Sequence, residues 1–159
     1  MHEEYGFSFE YPVIWNMRLF GENGNRGNRV NKVSIDNFRR GFDEPNAVIR
    51  INLKEFSEPN LNDVIDWSIE NLDRLPSKEG LQYPLGYQEL IYQRETVGIG
   101  EIQRRRYVQF NNSNHVTEEV MIARSDDMII ITVFAHPDIF HVIYPDFERI
   151  VSSFQTTEP

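Results

Sequence analysis

Four histidines are the first places to look for chemistry: His2, His115, His136 and His141. His136, Asp138 and His141 lie close together in the chain, and imidazole with carboxylate is a ligand set for a divalent metal. The spacing argues against that use. Metal-binding helices place two histidines four residues apart on one face, whereas a gap of five turns them to different sides. The expectation is therefore that His136 and Asp138 serve the start of a helix and that no metal is held. Glu118 and Glu119 are neighbours in a strand-like run, so they face opposite ways and cannot work as an acid–base couple. Asp126 and Asp127 separate two apolar runs and read as a hairpin turn, with a cation site as the alternative. The chain has no cysteine, which excludes disulfides, thiolate nucleophiles and iron–sulfur clusters. No nucleophile elbow, phosphate loop or metalloprotease helix occurs, and Gly98-Ile99-Gly100 lacks the helix that a dinucleotide fingerprint requires. The reading is non-enzymatic, with no catalytic residue and no cofactor. A metal-dependent enzyme built on residues 136–141 is the alternative from another class.

Arg104-Arg105-Arg106 stands out in a chain whose formal net charge is -9. On a strand, Arg104 and Arg106 share one face and Arg105 takes the other, beside Tyr107 at cation–π range. The pair could receive an acidic peptide or a phosphate. The plainer reading is a solvated strand face that pairs with Glu101, Glu118 or Glu119 across the sheet. Trp67 flanks the apolar stripe of a helix, and serves there as a packing flange or an interface anchor. Arg104, Arg106 and Trp67 are the candidate partner-binding residues.

These residues need a scaffold, and the composition supplies one. The 159 residues fit a single domain spanning 1–159, with eleven Phe, seven Tyr and two Trp for a core. The acidic balance makes nucleic acid a poor partner, because duplex binding needs Lys and Arg to displace counterions. No run approaches the ~20 apolar residues of a membrane span, so direct insertion is not expected. No signal peptide is visible at the start of the sequence given. The domain is either cytoplasmic or the exported part of a chain whose leader lies upstream.

Alternation of apolar and polar residues marks strands near 6–11, 47–56, 87–97, 101–111, 116–124 and 128–135, with a weaker one over 32–38. Residues 128–135 are apolar on both faces, as suits a central strand. Residues 21–32, rich in Gly and Asn, read as a loop. Leu61, Val64, Ile65, Ile69, Leu72 and Leu75 form a helical stripe over 61–75. Pro145 is expected to separate a short helix after His136-Pro137 from a second one over 146–154. Sequential hairpins favour an antiparallel sheet with helices on its faces, an α+β domain.

The opening Gly6-Phe-Ser-Phe-Glu-Tyr-Pro12 followed by Trp15 resembles the start of PsbP-like domains. The close is similar too: an apolar strand, a helix, then Phe147-Glu-Arg-Ile-Val-Ser-Ser-Phe154. The resemblance spans nearly the whole chain, but its specific part is the two ends. It implies the antiparallel, helix-covered sheet shared by PsbP, the Ran-binding Mog protein and DcrB-like lipoproteins. It also implies an accessory, protein-binding role, extracytoplasmic as in PsbP-like extrinsic proteins and lipoproteins or intracellular as in Mog. Phe7, Phe9, Tyr11, Trp15 and Phe154 look like packing residues. Val13-Ile14 departs from the family pattern, where a small polar turn precedes the Trp.

Overall fold

A computed structural model describes residues 6–19, 25–26, 29–36, 47–55, 87–109, 115–124 and 127–156. The strands are β1 (Phe7–Ser8), β2 (Asn16–Leu19), β3 (Asn25–Arg26), β4 (Arg29–Asp36), β5 (Ala47–Glu55), β6 (Tyr87–Val97), β7 (Gly100–Gln109), β8 (Val116–Ala123), β9 (Asp127–Ala135) and β10 (Gln155–Thr156). One helix, α1 (Pro137–Ser153), is described. The main sheet runs β2-β4-β5-β9-β8-β7-β6, with β3 also paired to β4. Every pairing in it is antiparallel. The chain is an α+β fold of mostly antiparallel sheet with a helix packed on it.

Alternation builds the core. Ile49 and Ile51 of β5, Val120 and Ile122 of β8, and Ile129, Ile131 and Val133 of β9 face α1 and are buried. From the helix, Phe140, Ile143, Phe147, Ile150 and Val151 meet them. β9 sits in the middle of the sheet, as its two apolar faces require: Met128 and Ile130 are also fully buried, on the other side with Met121. The turn between β6 and β7 is the two-residue Gly98-Ile99, and Gly100 follows at φ 115, a left-handed value that favours glycine.

Three expectations change. The helix does not break at Pro145; α1 runs through it. Pro145 is on the solvent side, so the hydrogen bond it forfeits toward His141 faces water. The buried stripe on either side outweighs a proline penalty of ~3 kcal/mol. The first strand is shorter than 6–11. Only Phe7 and Ser8 pair, with Thr156 and Gln155 of β10, because the partner strand is itself two residues long. Beyond it the backbone N–H of Glu10 donates to Ser153 Oγ at 2.9 Å. Within 21–32, β3 and the start of β4 pair with each other. Val30 is also paired with Leu53 of β5, so the sheet carries this stretch although it has no core of its own. The helix over 61–75, with Trp67, lies outside the described residues, as do residues 110–114 and 125–126.

The two ends of the chain clasp one another. The rings of Phe7 and Phe154 stack at 5.2 Å, and Phe9 joins Phe154 at 6.0 Å. Trp15 is buried and its Nε1 donates to Asp146 Oδ2 of α1 at 2.8 Å. The turn before it, closed by Trp15 N–H to Pro12 O at 3.1 Å, leaves Val13 and Ile14 95% and 81% exposed. Phe154→Ala is expected to cost about 3–5 kcal/mol, a fall in Tm on the order of 10 °C. Val13→Ser is expected to stay within ~0.5 kcal/mol. Urea denaturation of the two variants checks both.

Candidate functional site

Strands β6, β7 and β8 carry a charged cluster against the underside of α1. In the register of the sheet, Arg106 lies opposite Glu118, and Arg104 is two residues along on the same face. Helix α1 adds Tyr144 and Glu148, which are one turn apart and so point the same way. Strand β6 adds Glu95.

Glu118 is the centre of the cluster and is fully buried. One of its oxygens accepts from Arg104 Nη1 and the other from Arg106 Nε. Arg104 is 4% exposed and is shared among carboxylates: Nε donates to Glu95 Oε1 at 3.0 Å and Nη1 to Glu148 Oε1 at 2.6 Å. Burial alone would weaken the charge on Arg104. The hydrogen bond with Glu118 and the negative charges of Glu148 and Glu118 outweigh it and hold the guanidinium more firmly protonated than an ordinary arginine. Burial, a hydrogen bond with Glu148 and the nearby carboxylates push the Tyr144 phenol up to about 12, against the opposing charge of Arg104.

Arg106 sits at the edge of this cluster, its side chain 21% exposed. Its guanidinium lies 4.5 Å from the centre of the Tyr144 ring and 5.0 Å from that of Phe140. Arg105 takes the opposite face, as alternation requires. It is buried with its guanidinium 5.3 Å from the Tyr92 ring and 6.0 Å from the Tyr107 ring, cross-strand from Glu119. The arginine face is therefore not a solvated one. It is roofed by α1, and Glu118 rather than water compensates it. Glu118 and Glu119 do face opposite ways.

The histidines divide differently. His136 caps α1, its Nδ1 accepting from the Asp138 N–H at 3.3 Å, and Pro137 begins the helix. His115 stacks on Phe134 at 4.1 Å and meets His136 edge-on at 6.0 Å. His141 is exposed on the helix. Among the described residues no three His, Asp or Glu side chains converge as metal ligands. Asp127 closes the β8–β9 hairpin: Arg124 grips its two carboxylate oxygens at 2.6 and 2.5 Å.

Tyr144, Glu148 and Glu95 belong to the cluster but escape a sequence reading. Tyr144 and Glu148 stand four apart, a helical spacing, yet a helix boundary placed at Pro145 separates them. Nothing local marks Glu95; only the β6–β7 register brings it to Arg104.

No protein-family model matches the chain, and no curated relative does. The likeness is to solved structures. Cyanobacterial PsbP (CyanoP) from Synechocystis sp. PCC 6803 superposes with a TM-score of 0.68 at 14% identity, over 96% of this chain and 88% of that one. The fold is PsbP-like. LpqN of Mycobacterium tuberculosis, described as involved in cell envelope biogenesis, gives a TM-score of 0.66 at 14% identity, over 96% of this chain and 83% of its own. Among the described residues of the PsbP-like domain, no helix is long and apolar enough to cross a membrane.

Two measurements test the cluster. Glu118→Gln takes from the partly exposed Arg106 the carboxylate that its Nε donates to, and from the buried Arg104 one of three, and is expected to cost about 3 kcal/mol in urea unfolding. Glu10→Gln, which breaks the exposed pair between Glu10 and Arg149, is expected to cost under ~1 kcal/mol. The raised Tyr144 phenol stabilises the fold fully below the ordinary tyrosine pKa of about 10, and that contribution is lost as pH rises through about 12. Alkaline titration of the phenolate absorbance should therefore show a late component that is missing in Tyr144→Phe.

Proposed function

We propose that this PsbP-like domain is a non-enzymatic accessory module that acts by binding another protein. The observation that carries the reading is the state of its charged groups. Among the described residues, the carboxylates and guanidiniums gathered beneath α1 are engaged with one another, and His136 is engaged as a helix cap. An ion-paired cluster in which each of these groups already has a partner supports a structural role for them. No metal or cofactor is invoked.

The fold likeness supports the same class of role, since CyanoP and LpqN share it. LpqN's description, cell envelope biogenesis, favours an extracytoplasmic setting over an intracellular one. Arg104, Arg106 and Trp67 are the side chains proposed to carry the contact. Arg104, being buried, does so from beneath by holding Glu118 and thereby Arg106.

A photoreactive amino acid at Leu90, which is 48% exposed on the edge strand β6, tests this in cells of the native source. The expected result is one discrete heteromeric adduct, reduced by Trp67→Ala or Arg106→Gln. Absence of any adduct from Leu90 and from a second probe at Val142, which is 62% exposed on α1, would count against a protein-binding role.

A further inference from the structure

Val13 and Ile14 stand almost wholly exposed at the tip of a turn that is held on both sides. Before it, Phe9 and Tyr11 pack against the core. After it, Trp15 is buried and donates to Asp146, and its backbone N–H closes the turn on Pro12. Two aliphatic side chains are thus presented on a fixed backbone, and a partner that covers them has little loop freedom to remove.

The opening segment runs beside one flank of α1, from its last turn toward its first. Glu10 meets Ser153 and Arg149, and Trp15 meets Asp146. Val142, also exposed, is one turn further along the same line, and Asp138 one turn beyond that. Val142 therefore stands between two carboxylates at four-residue spacing. The Val13-Ile14 tip directly precedes the residue bonded to the second of them.

The charge around this surface is negative. Residues 6–17 contain no Lys or Arg, and Arg149 is the only one in α1. Glu10, Asp138 and Asp146 set three negative charges against that single positive one, and Arg149 is already paired with Glu10 at 3.2 Å. Asp146 accepts from a neutral indole, which leaves its charge in place. Asp138 is 85% exposed, with His136 Nδ1 at 3.5 Å from it and used in the helix cap.

A second copy of the chain fits this surface poorly. Three aliphatic side chains offer at most roughly 400 Å², about half of what each copy buries in a standard interface. Pairing two copies would also set like carboxylates against one another. An anionic membrane is repelled for the same reason.

We propose that Val13, Ile14 and Val142 dock a basic amphipathic helix of a partner protein. An aliphatic residue of that helix would cover Val142 and the Val13-Ile14 tip. Lys or Arg four residues to either side of it would meet Asp138 and Asp146, whose separation of eight helical residues it matches. This rests on the protein-binding reading above and adds to it a second surface and the chemistry of its partner.

The test follows the methyl signals of Val13, Ile14 and Val142 by nuclear magnetic resonance of the whole chain. The probe is a capped, alanine-based helical peptide carrying one Leu with a Lys four residues to either side. The same peptide with Gln in place of both Lys is the comparison. The Lys peptide is expected to shift the three residues' signals saturably, and the Gln peptide to bind at least about tenfold more weakly. The double variant Val13→Ser/Ile14→Ser, checked for native melting, is expected to lose about tenfold in affinity for the Lys peptide, read on Val142. No saturable shift, equal binding of the Gln peptide, or undiminished binding by the double variant would each overturn the proposal. Concentration-dependent shifts of the same methyls in the chain alone would assign the surface to a second copy and overturn it too. So would their broadening by phosphatidylcholine vesicles without a response to the Lys peptide. A discrete cross-link from Leu90 alongside such a negative result would leave the protein-binding reading standing and move the contact to another surface.

Discussion

A carboxylate with no exposed surface cannot be left alone, and Glu118 is such a group. Removing it from water costs several kcal/mol unless opposite charge arrives at hydrogen-bond distance. That requirement fixes Arg104 and Arg106 on the neighbouring strand, in the register that places Arg106 directly across from it. Arg104 in turn needs more than half of one carboxylate, and Glu95 and Glu148 provide it. Glu148 belongs to α1 and Glu95 to β6, so a single buried charge links the helix to three strands. The apolar contacts of α1 tell it which face to lie on; the ion pairs tell it where along that face to stop. Hydrophobic packing tolerates sliding, and directional charged hydrogen bonds do not.

Much of the sheet is legible in the sequence because its signals are local. Alternation over 87–97, 101–111 and 116–124 needs only each strand's own residues, and the Gly98-Ile99-Gly100 turn sits between two of them. The double-faced run at 128–135 also announces its central place. The readings that miscarried involve balance between distant parts. Pro145 is a helix breaker by local rule, but buried residues on both sides of it hold α1 together. The arginine face reads as solvated because nothing in Arg104-Arg105-Arg106 reveals that a helix nearly forty residues later lies over it. Glu118 as a partner was accessible from strand pairing; Glu148, Tyr144 and Glu95 required the tertiary arrangement.

The residues read as resembling a PsbP-like opening and close stand at the two ends of the chain, and the structure brings them together. Phe7, Phe9 and Phe154 are one aromatic cluster, and Trp15 is tied to Asp146. Residues far apart in the chain are therefore a single packing unit whose members constrain each other's size and shape. Val13 and Ile14 lie beside that unit but outside its packing, which does not account for their departure from the polar turn.

The clasp of β1 with β10 also decides how the domain can be held. Chain entering at Gly6 and chain leaving at Thr156 do so at one place. The Gly98-Ile99 turn is there as well, sharing a cleft with Ser152, Phe154, Gln155 and Thr156. Strand β7 runs from that turn toward the opposite end of the sheet. Arg106, six residues along, lies roughly 20 Å away at the usual rise of a strand. A tether or neighbouring domain joined at either terminus would thus grip the molecule by the same end, and Arg106 would be carried toward the other.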